Sequence, residues 1–218
     1  MFNALLIKRL IMVQSHDIIV KSDFQKIKNK KLFEKLKLDE EFRNIEYNEE
    51  NGGLKAESIH HNNTEKGEKF FKEENGGIGY SGPQLEKFCQ DELFRTGHSC
   101  ILMGENIPKG DGTFLTALDA IIDDKRMDIK SVTENSTSYR NQITSKNKQL
   151  VKWREQTNNE SDISLCLYFH KPEYFSMDKI ILTKAQLKPK MRDKGFVVRE
   201  LYCVIRGEKN IYIFDLIE

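Results

Sequence analysis

Two aspartates and a lysine in the middle of the chain have the residue types and spacing of a divalent-cation site. Asp119 lies in one apolar stretch, and Asp128 and Lys130 lie in the next, beyond a short charged turn at 123–125. Because side chains alternate across a β-strand, Asp128 and Lys130 would project from one face and Ile129 from the other. A short hairpin would then bring Asp119 alongside them.

An oxygen-only ligand set of this kind favours a hard cation. The carboxylates of Asp119 and Asp128, with the backbone carbonyl of Ile129, suit Mg²⁺ or Mn²⁺, which would keep several waters for a phosphate and a nucleophile. Lys130 would orient or deprotonate the attacking water and neutralise the charge that develops on the phosphate. The expected chemistry is therefore hydrolysis of a phosphodiester.

Local signals predict the elements that must position these residues. Ser81-x-x-Gln84 is a capping box with Pro83 in the first turn, and Gly97 is a natural stop, so a helix is predicted over 83–96. Hydrophobic patterns then predict strands at 98–103, 115–122 and 126–133, a helix over 138–156 and a strand at 163–169. The predicted order is helix, three strands, helix, strand.

The two ends of the chain differ in regularity. Near the C-terminus, apolar runs at 197–205 and 211–217 flank a hairpin turn and would extend the sheet at one edge. Near the N-terminus, Phe24 to Phe42 has helical spacing, and Asn51-Gly52-Gly53 and Asn75-Gly76-Gly77 bracket a segment that predicts a loop or hinge. The predicted organisation is an accessory region, 1–78, followed by one domain, 79–218.

The segment 118–131 resembles the core of the PD-(D/E)xK nucleases, in which an acidic residue opens one strand and D/E-x-K lies on the next. Leu118 stands where that family often has proline. The family's αβββαβ order is also the order predicted for 83–169. The resemblance implies an α/β restriction-endonuclease-like core, with a mixed sheet flanked by helices, and a Mg²⁺- or Mn²⁺-dependent endonuclease.

The resemblance also assigns residues on the two flanking helices. Many members of the family donate a glutamate from the first helix, which here corresponds to Glu86 as a metal or water-orienting ligand, with Glu92 as the rival. The second helix often presents a glutamine or lysine to the scissile phosphate, which here implies Gln142 and Lys146. Ordinary surface polar residues are the alternative interpretation of these last two.

A finer resemblance concerns the biological setting. Residues 127–132, with Asn141 and 146–149, resemble nuclease modules of bacterial polymorphic and contact-dependent toxins and of mobile elements. These modules cut DNA or RNA, and the sequence does not decide between the two substrates. The resemblance implies an acidic immunity or inhibitor protein as a partner, and a homodimer is also considered.

Charge and cysteine usage bound these interpretations. The chain has 35 basic and 34 acidic residues, so any binding of nucleic acid must come from local basic patches rather than from the net charge of the protein. Four separated cysteines in apolar stretches predict buried free thiols, and no apolar stretch is long enough to span a membrane. We expect a cytoplasmic protein, in its own cell or delivered into a target cell. The two candidate patches comprise Lys146, Lys148, Lys152 and Arg154, and Lys184, Lys188, Lys190, Arg192 and Lys194.

Two other functions compete with this one. The first is metal-independent RNA cleavage of the barnase or colicin type, with His60, His61 or His170 as acid and base. The second is a non-catalytic binding or effector protein that keeps the nuclease fold. Retention of Asp119, Asp128 and Lys130 together speaks against the second.

Overall fold

The chain folds around one mixed β-sheet with helices on both faces. The computed structural model describes residues 23–61, 79–104, 106–108, 114–116, 118–158, 163–192 and 195–216. In chain order the elements are a helix whose described part is 23–36 (α1), β1 (Phe42–Tyr47), β2 (Leu54–Ser58), α2 (Gly82–Arg95), β3 (Ser99–Leu102), β4 (Asn106–Pro108), β5 (Phe114–Thr116), β6 (Ala120–Ile122), β7 (Lys125–Val132), α3 (Tyr139–Thr157), β8 (Ile163–Phe169), α4 (Met177–Leu187), β9 (Val198–Ile205) and β10 (Tyr212–Asp215).

Eight of these strands form the sheet in the order β1-β2-β3-β6-β7-β8-β9-β10, and β4 pairs with β5 separately. Strands β7, β8 and β9 run parallel, as do β2 and β3, and the other neighbours are antiparallel. The predicted α/β class with a mixed sheet is confirmed. The predicted extension of one edge by a C-terminal hairpin is also confirmed, because β10 pairs with β9.

Each face of the sheet is covered by its own helices. Helix α2 packs Leu85, Cys89 and Leu93 against Met127 and Ile129 of β7. Helices α3 and α4 cover the opposite face, where the core includes Val132, Ile143, Leu150, Trp153 and Ile180. Every residue of β8 is buried, which explains its unbroken apolar run, since a strand covered on both faces need not alternate.

The helices begin and end where local chemistry predicts. In α2 the Ser81 hydroxyl accepts from the Gln84 backbone N–H and the Gln84 side chain accepts from the Ser81 N–H, so the capping box is complete. In α3 the Ser138 hydroxyl accepts from the Asn141 N–H, and Asn158 ends the helix in the left-handed region. The predicted helices at 83–96 and 138–156 are confirmed within about one residue at each end.

The single strand predicted over 115–122 is wrong. That stretch contains two separate short strands, β5 and β6, which belong to different sheets. The hairpin ladder between β6 and β7 stops at the Ala120–Met127 pair, and the next N–H of β7, at Ile129, donates instead to the Asp119 carboxylate at 2.8 Å. The side chain of Asp119 thus takes the place of the backbone acceptor that a continuing strand would supply.

The prediction that the N-terminal region is helix followed by loop or hinge is wrong in part. Strand β2 lies inside the segment predicted as loop, and it pairs in parallel with β3, so the predicted boundary at 78/79 falls between neighbouring strands of one sheet. Leu54 and Ala56 are fully buried in a small core with Leu36 of α1 and Ile101 of β3. Residues 62–78, with the second Asn-Gly-Gly, and 1–22 lie outside the described residues.

Two predictions about composition can also be compared with the structure. All four cysteines are free and buried, as predicted. The helices of the described ranges include none that is long and apolar enough to cross a membrane.

Candidate functional site

The two aspartates meet at the point where the β6–β7 ladder ends. Asp128 lies in the middle of β7 and is fully buried, and Asp119, just before β6, is 8% exposed. Asp128 and Lys130 share a strand face with Val132, which belongs to the core under α3, whereas Met127 and Ile129 belong to the core under α2. The two acids are close enough for the charge of Asp128 to act on Asp119.

The proximity of these carboxyls has an electrostatic consequence. Burial, then the charge and hydrogen-bonding contact of Asp128, and then the charge of Glu86 raise the pKa of Asp119 well above its usual value, while Lys146 opposes the rise. The hydrogen bond that Asp119 accepts from the Ile129 N–H holds the Asp119 carboxyl beside β7. A bound proton or a bound cation would reduce the repulsion between the two buried carboxyls.

Lys146 reaches the pair from α3. Its Nζ lies 2.5 Å from Asp128 Oδ2 and 3.3 Å from Gln149 Oε1. Burial, the largest influence, lowers the pKa of Lys146, but the carboxylates of Asp128, Asp119 and Glu86 together raise it above its usual value. The ammonium group therefore stays charged and partly neutralises the acidic pair.

The contact with Lys146 leaves Asp128 incompletely satisfied. Within the described ranges, neither carboxylate oxygen of Asp128 accepts a hydrogen bond from an N–H or O–H group, so the contact is an ion pair without hydrogen-bond geometry. A fully buried carboxylate with unfilled acceptor positions is unusual and costly. Carboxylate oxygens of this kind would bind a cation or a water molecule held by that cation.

Lys130 lies two residues further along β7, half-buried beside the same group. Burial and then the neighbouring charge of Lys146 lower its pKa, and Asp128 and Asp119 only partly offset this effect. A lysine with a lowered pKa gives up its proton more readily and is better suited to accept one from water. The role predicted for Lys130 stays a prediction.

Glu86 approaches the pair from α2 but is held by a histidine. Its Oε2 lies 3.2 Å from Nε2 of His61, and its charge acts on Asp119 and Lys146. The rival, Glu92, instead binds Arg95 on the same helix at 3.0 Å. The charge that acts on the pair from α2 is therefore that of Glu86 rather than that of Glu92. The part played by His61 was missed, because a segment predicted as loop carried no signal of a contact with α2.

The remaining predicted residues are placed less decisively. Ile129 turns its N–H toward Asp119, and because the N–H and C=O of one residue in a strand point to the same side, its carbonyl faces that edge too. For Gln142, the described residues provide no hydrogen bond from its side chain to the cluster. His60 is exposed, and His170 is buried with its Nε2 against Arg206 at 3.2 Å.

A divalent cation fits the acidic pair but not the whole predicted ligand set. No three His, Cys, Asp or Glu side chains of the described ranges lie close enough together to form a metal-binding group. Asp119 and Asp128 supply hard oxygen donors, and the unfilled oxygens of Asp128 leave positions for a cation that retains most of its own waters. Glu86 would act from outside such a pair.

Basic side chains lie on the same side of the sheet as this pair. Exposed Lys148 and Lys152 lie on α3, and exposed Lys188 and Arg192 lie at and beyond the C-terminal end of α4, which packs against α3. The two patches, separate in the sequence, are therefore carried by adjacent helices. Lys194, predicted in the second patch, lies outside the described residues.

Comparisons with protein-family models, with curated proteins and with solved structures give no significant match. The resemblance to the PD-(D/E)xK nucleases therefore stays a prediction, and the functional argument depends on the geometry of the acidic pair and its two lysines.

Proposed function

We propose that this chain is a divalent-metal-dependent endonuclease that hydrolyses phosphodiester bonds of DNA or RNA. The observation that carries the proposal is the buried Asp119–Asp128 pair, with Lys130 and Lys146 beside it on one side of the sheet. Two like charges in a buried site cost free energy unless something compensates them, and the compensation by Lys146 leaves acceptor positions of Asp128 unfilled. Such pairs are typical of functional sites.

The element order supports a restriction-endonuclease-like core. Helix α2, strands β3, β6 and β7, helix α3 and strand β8 follow one another in the order αβββαβ, interrupted only by β4 and β5. The proposal is also supported by Asp119 just before β6 and by the Asp-x-Lys of β7 on the neighbouring strand. The order of the elements and the places of the acidic residues are two separate observations.

The chemistry follows from the chain's own residues. Asp119 and Asp128, with the Ile129 carbonyl, would hold Mg²⁺ or Mn²⁺, which when bound supplies Lewis acidity for a phosphate oxygen and an acidified water. Lys130, half-buried on the same strand face as Asp128, would orient the attacking water, and could accept its proton only in the neutral form that its lowered pKa makes more accessible. The ammonium group of Lys146, which lies beside Asp128, would offset the charge that develops on the phosphate.

The test measures cleavage of supercoiled plasmid DNA and of bulk tRNA in Mg²⁺, in Mn²⁺ and in chelator. We expect cleavage of at least one substrate with metal and none in chelator. Asp128→Asn and Lys130→Met should each reduce kcat by at least about 100-fold, on the scale of losing a general base or a key electrostatic group. Full activity in either folded variant would remove this site from consideration.

One observation favours a second candidate, metal-independent RNA cleavage. His61 and Glu86 form a histidine–carboxylate pair, the kind of pair that can move protons. Against it, His61 is only 3% exposed, so a substrate would have no direct access to its ring. Cleavage of tRNA that persists in chelator and is lost in His61→Ala but kept in His60→Ala would favour this candidate.

The biological setting proposed is that of a toxin, effector or mobile-element nuclease acting in a bacterial cytoplasm. The proposal is supported by the finer sequence resemblance of 127–132, Asn141 and 146–149 and by the basic surface of α3 and α4. An immunity or inhibitor protein that covers this surface would be acidic, because it would replace the phosphates of the substrate.

A further inference from the structure

His61 occupies a position that its exposed neighbour His60 does not share. It lies in the turn after β2, only 3% exposed, and its Nε2 contacts Glu86 Oε2 at 3.2 Å. Because a carboxylate only accepts hydrogen bonds, the ring proton must be on Nε2 for this bond to form. The other ring nitrogen, Nδ1, has no hydrogen-bond partner among the described residues. The contact with Glu86 is thus the main polar interaction of a buried ring.

The backbone of His61 is held firmly by its surroundings. Its N–H donates to the Ser58 carbonyl at 2.9 Å, and its carbonyl accepts from the Arg43 guanidinium at 3.3 Å. Buried Glu57 of β2 links β1 to α2, since its carboxylate lies 3.8 Å from Arg43 Nε and 3.2 Å from Lys87 Nζ. Strands β1 and β2 are in this way tied to the turn of α2 that carries Glu86.

The position of Glu86 matters because its charge acts on the acidic pair. The turn of α2 that carries Glu86 packs on β6 and β7, because the adjacent Leu85 shares a buried core with Ala120 and Met127. From this turn the charge of Glu86 acts on Asp119 and on Lys146. A carboxylate on a helix has several rotamers, and only some of them point toward β6 and β7. A buried donor in a fixed position selects one of them.

We propose that His61 is a positioning residue of the active site, which holds the Glu86 carboxylate where its charge strengthens cation binding by Asp119 and Asp128. The inference rests on the proposed function. It assigns to β1, β2 and the turn after them a part in the site, so that the region before α2 completes the site rather than serving as a separate module. Residues that orient groups around a metal typically change metal affinity or activity by about 10- to 100-fold.

The experiment compares His61→Leu and His61→Gln with His60→Leu as the matched control. The probe is Mn²⁺, with its affinity measured by isothermal titration calorimetry on folded protein and its effect on kcat/KM measured with plasmid or tRNA. We expect His61→Leu to weaken Mn²⁺ binding and to lower kcat/KM, each by about 10- to 100-fold. His61→Gln should restore most of both, because its amide nitrogen can donate to Glu86 as Nε2 does. His60→Leu should behave as the wild type.

A double-mutant cycle separates positioning from packing. Glu86→Gln alone should weaken Mn²⁺ binding, and adding His61→Leu to it should cause little further loss, because the two residues act through one contact. Additive losses would overturn the proposal. If His61→Leu does not fold, His61→Asn replaces it, since its shorter amide stops short of Glu86. Equal Mn²⁺ affinity in the Asn and Gln variants would then overturn the proposal.

The outcomes distinguish this inference from the proposed function. Wild-type protein that cleaves and binds Mn²⁺, with His61→Leu equal to His60→Leu, would overturn the role of His61 alone. Wild-type protein that neither binds Mn²⁺ nor cleaves in its presence would overturn the proposed function, and the role of His61 would fall with it.

Discussion

At the scale of single residues, the buried acidic pair opposes folding when both carboxyls are charged and no cation compensates them. Asp119 and Asp128 are both buried, and the pKa of Asp119 is raised by burial first and by Asp128 next. A carboxyl whose pKa is higher in the folded than in the unfolded state binds more protons when folded. It therefore favours folding at pH values below its ordinary pKa of about 3.9 and loses that contribution as the pH rises through the raised value.

We predict that Asp119 destabilises metal-free protein increasingly as the pH rises above about 4, and that Asp119→Asn removes this contribution. Asparagine keeps an oxygen for the Ile129 N–H and cannot ionise, so at neutral pH in chelator the variant should be more stable than the wild type. The gain would be on the order of 1 kcal/mol for each pKa unit of the shift. Urea unfolding at several pH values measures it.

The control for this prediction is Asp178→Asn, which removes an exposed carboxylate of the same formal charge from α4. It should leave the pH profile of the wild type unchanged. Parallel profiles for the wild type and Asp119→Asn would show that the acidic pair is not coupled to folding.

A change at Lys146 is expected to lower the stability of the protein, whereas Asp119→Asn is expected to raise it. Replacing Lys146 by methionine in metal-free protein removes the cation paired with a fully buried Asp128 and leaves an uncompensated charge. We expect a loss of about 3–5 kcal/mol in the free energy of unfolding. Mg²⁺ or Mn²⁺ should recover more stability in this variant than in the wild type, because the cation would compensate Asp128 in place of Lys146.

The matched control is Lys148→Met, on the same helix but exposed, which should change stability by no more than about 0.5 kcal/mol. Thermal or urea unfolding with and without metal compares the two. Equal losses in both variants would mean that the ion pair with Asp128 contributes nothing.

At the scale of elements, the turn between β1 and β2 is joined closely to the end of α2. The Asn51 amide donates to the carbonyls of Phe94 and Arg95, which are among the last in that helix, and the Phe94 carbonyl also accepts from the Gly97 N–H. Gly53 lies so near that an added Cβ would be 2.1 Å from the Phe94 carbonyl oxygen. The contact holds β2 beside β3 and so helps to fix the position of His61, which follows β2 in the chain.

This contact predicts that Gly53→Ala destabilises the protein by about 1–3 kcal/mol, the usual cost of forcing a methyl group into a packed site. The obstacle is backbone rather than a flexible side chain, so relaxation is limited. Gly82→Ala is the control, since nothing lies within 4 Å of its Cβ position at the start of α2. It should be neutral or slightly stabilising, as measured by chemical denaturation. A Gly53 variant as stable as the Gly82 variant would contradict the packing argument.

At the scale of the whole molecule, charge is distributed unevenly although the net charge is only +1. Helices α3 and α4 carry basic side chains over the sheet face that holds Asp128 and Lys130. A phosphate backbone bound there would approach the acidic pair past Lys146. Local attraction of this kind acts within about 10 Å at ordinary ionic strength.

We predict that a Lys148→Ala, Lys152→Ala double variant binds nucleic acid more weakly than the wild type and depends less steeply on salt. Each lost phosphate contact should reduce the slope of log affinity against log salt concentration by about one. Fluorescence anisotropy with labelled DNA and RNA in chelator measures binding without cleavage.

The control for the basic face carries the same change of charge at another place. Lys31→Ala and Lys35→Ala remove two exposed lysines from α1, which packs at the β2–β3 end of the sheet. This double variant should bind as the wild type does. Equal loss in both double variants would indicate a diffuse charge effect and would contradict a binding face on α3 and α4.

Local sequence signals were sufficient for much of this structure. The capping box at Ser81, the turn at Asp123 and Asp124, both at positive φ, and the buried run of β8 each depend on residues near one another in the chain. The alternation that puts Asp128 and Lys130 on one face is of the same kind. Dihedral preferences and side-chain periodicity act over a few residues, so a single sequence determines them.

Only the tertiary structure decided the contacts between distant segments. The pairing of β2 with β3, the ion pair of Lys146 with Asp128 and the bond of His61 to Glu86 join residues that no local pattern relates. Even the early end of β6 depends on such a contact, because the Asp119 carboxylate replaces a ladder acceptor for Ile129. Parallel pairing and burial depend on which elements become neighbours, and that choice is made by the packing of the whole sheet rather than by any segment alone.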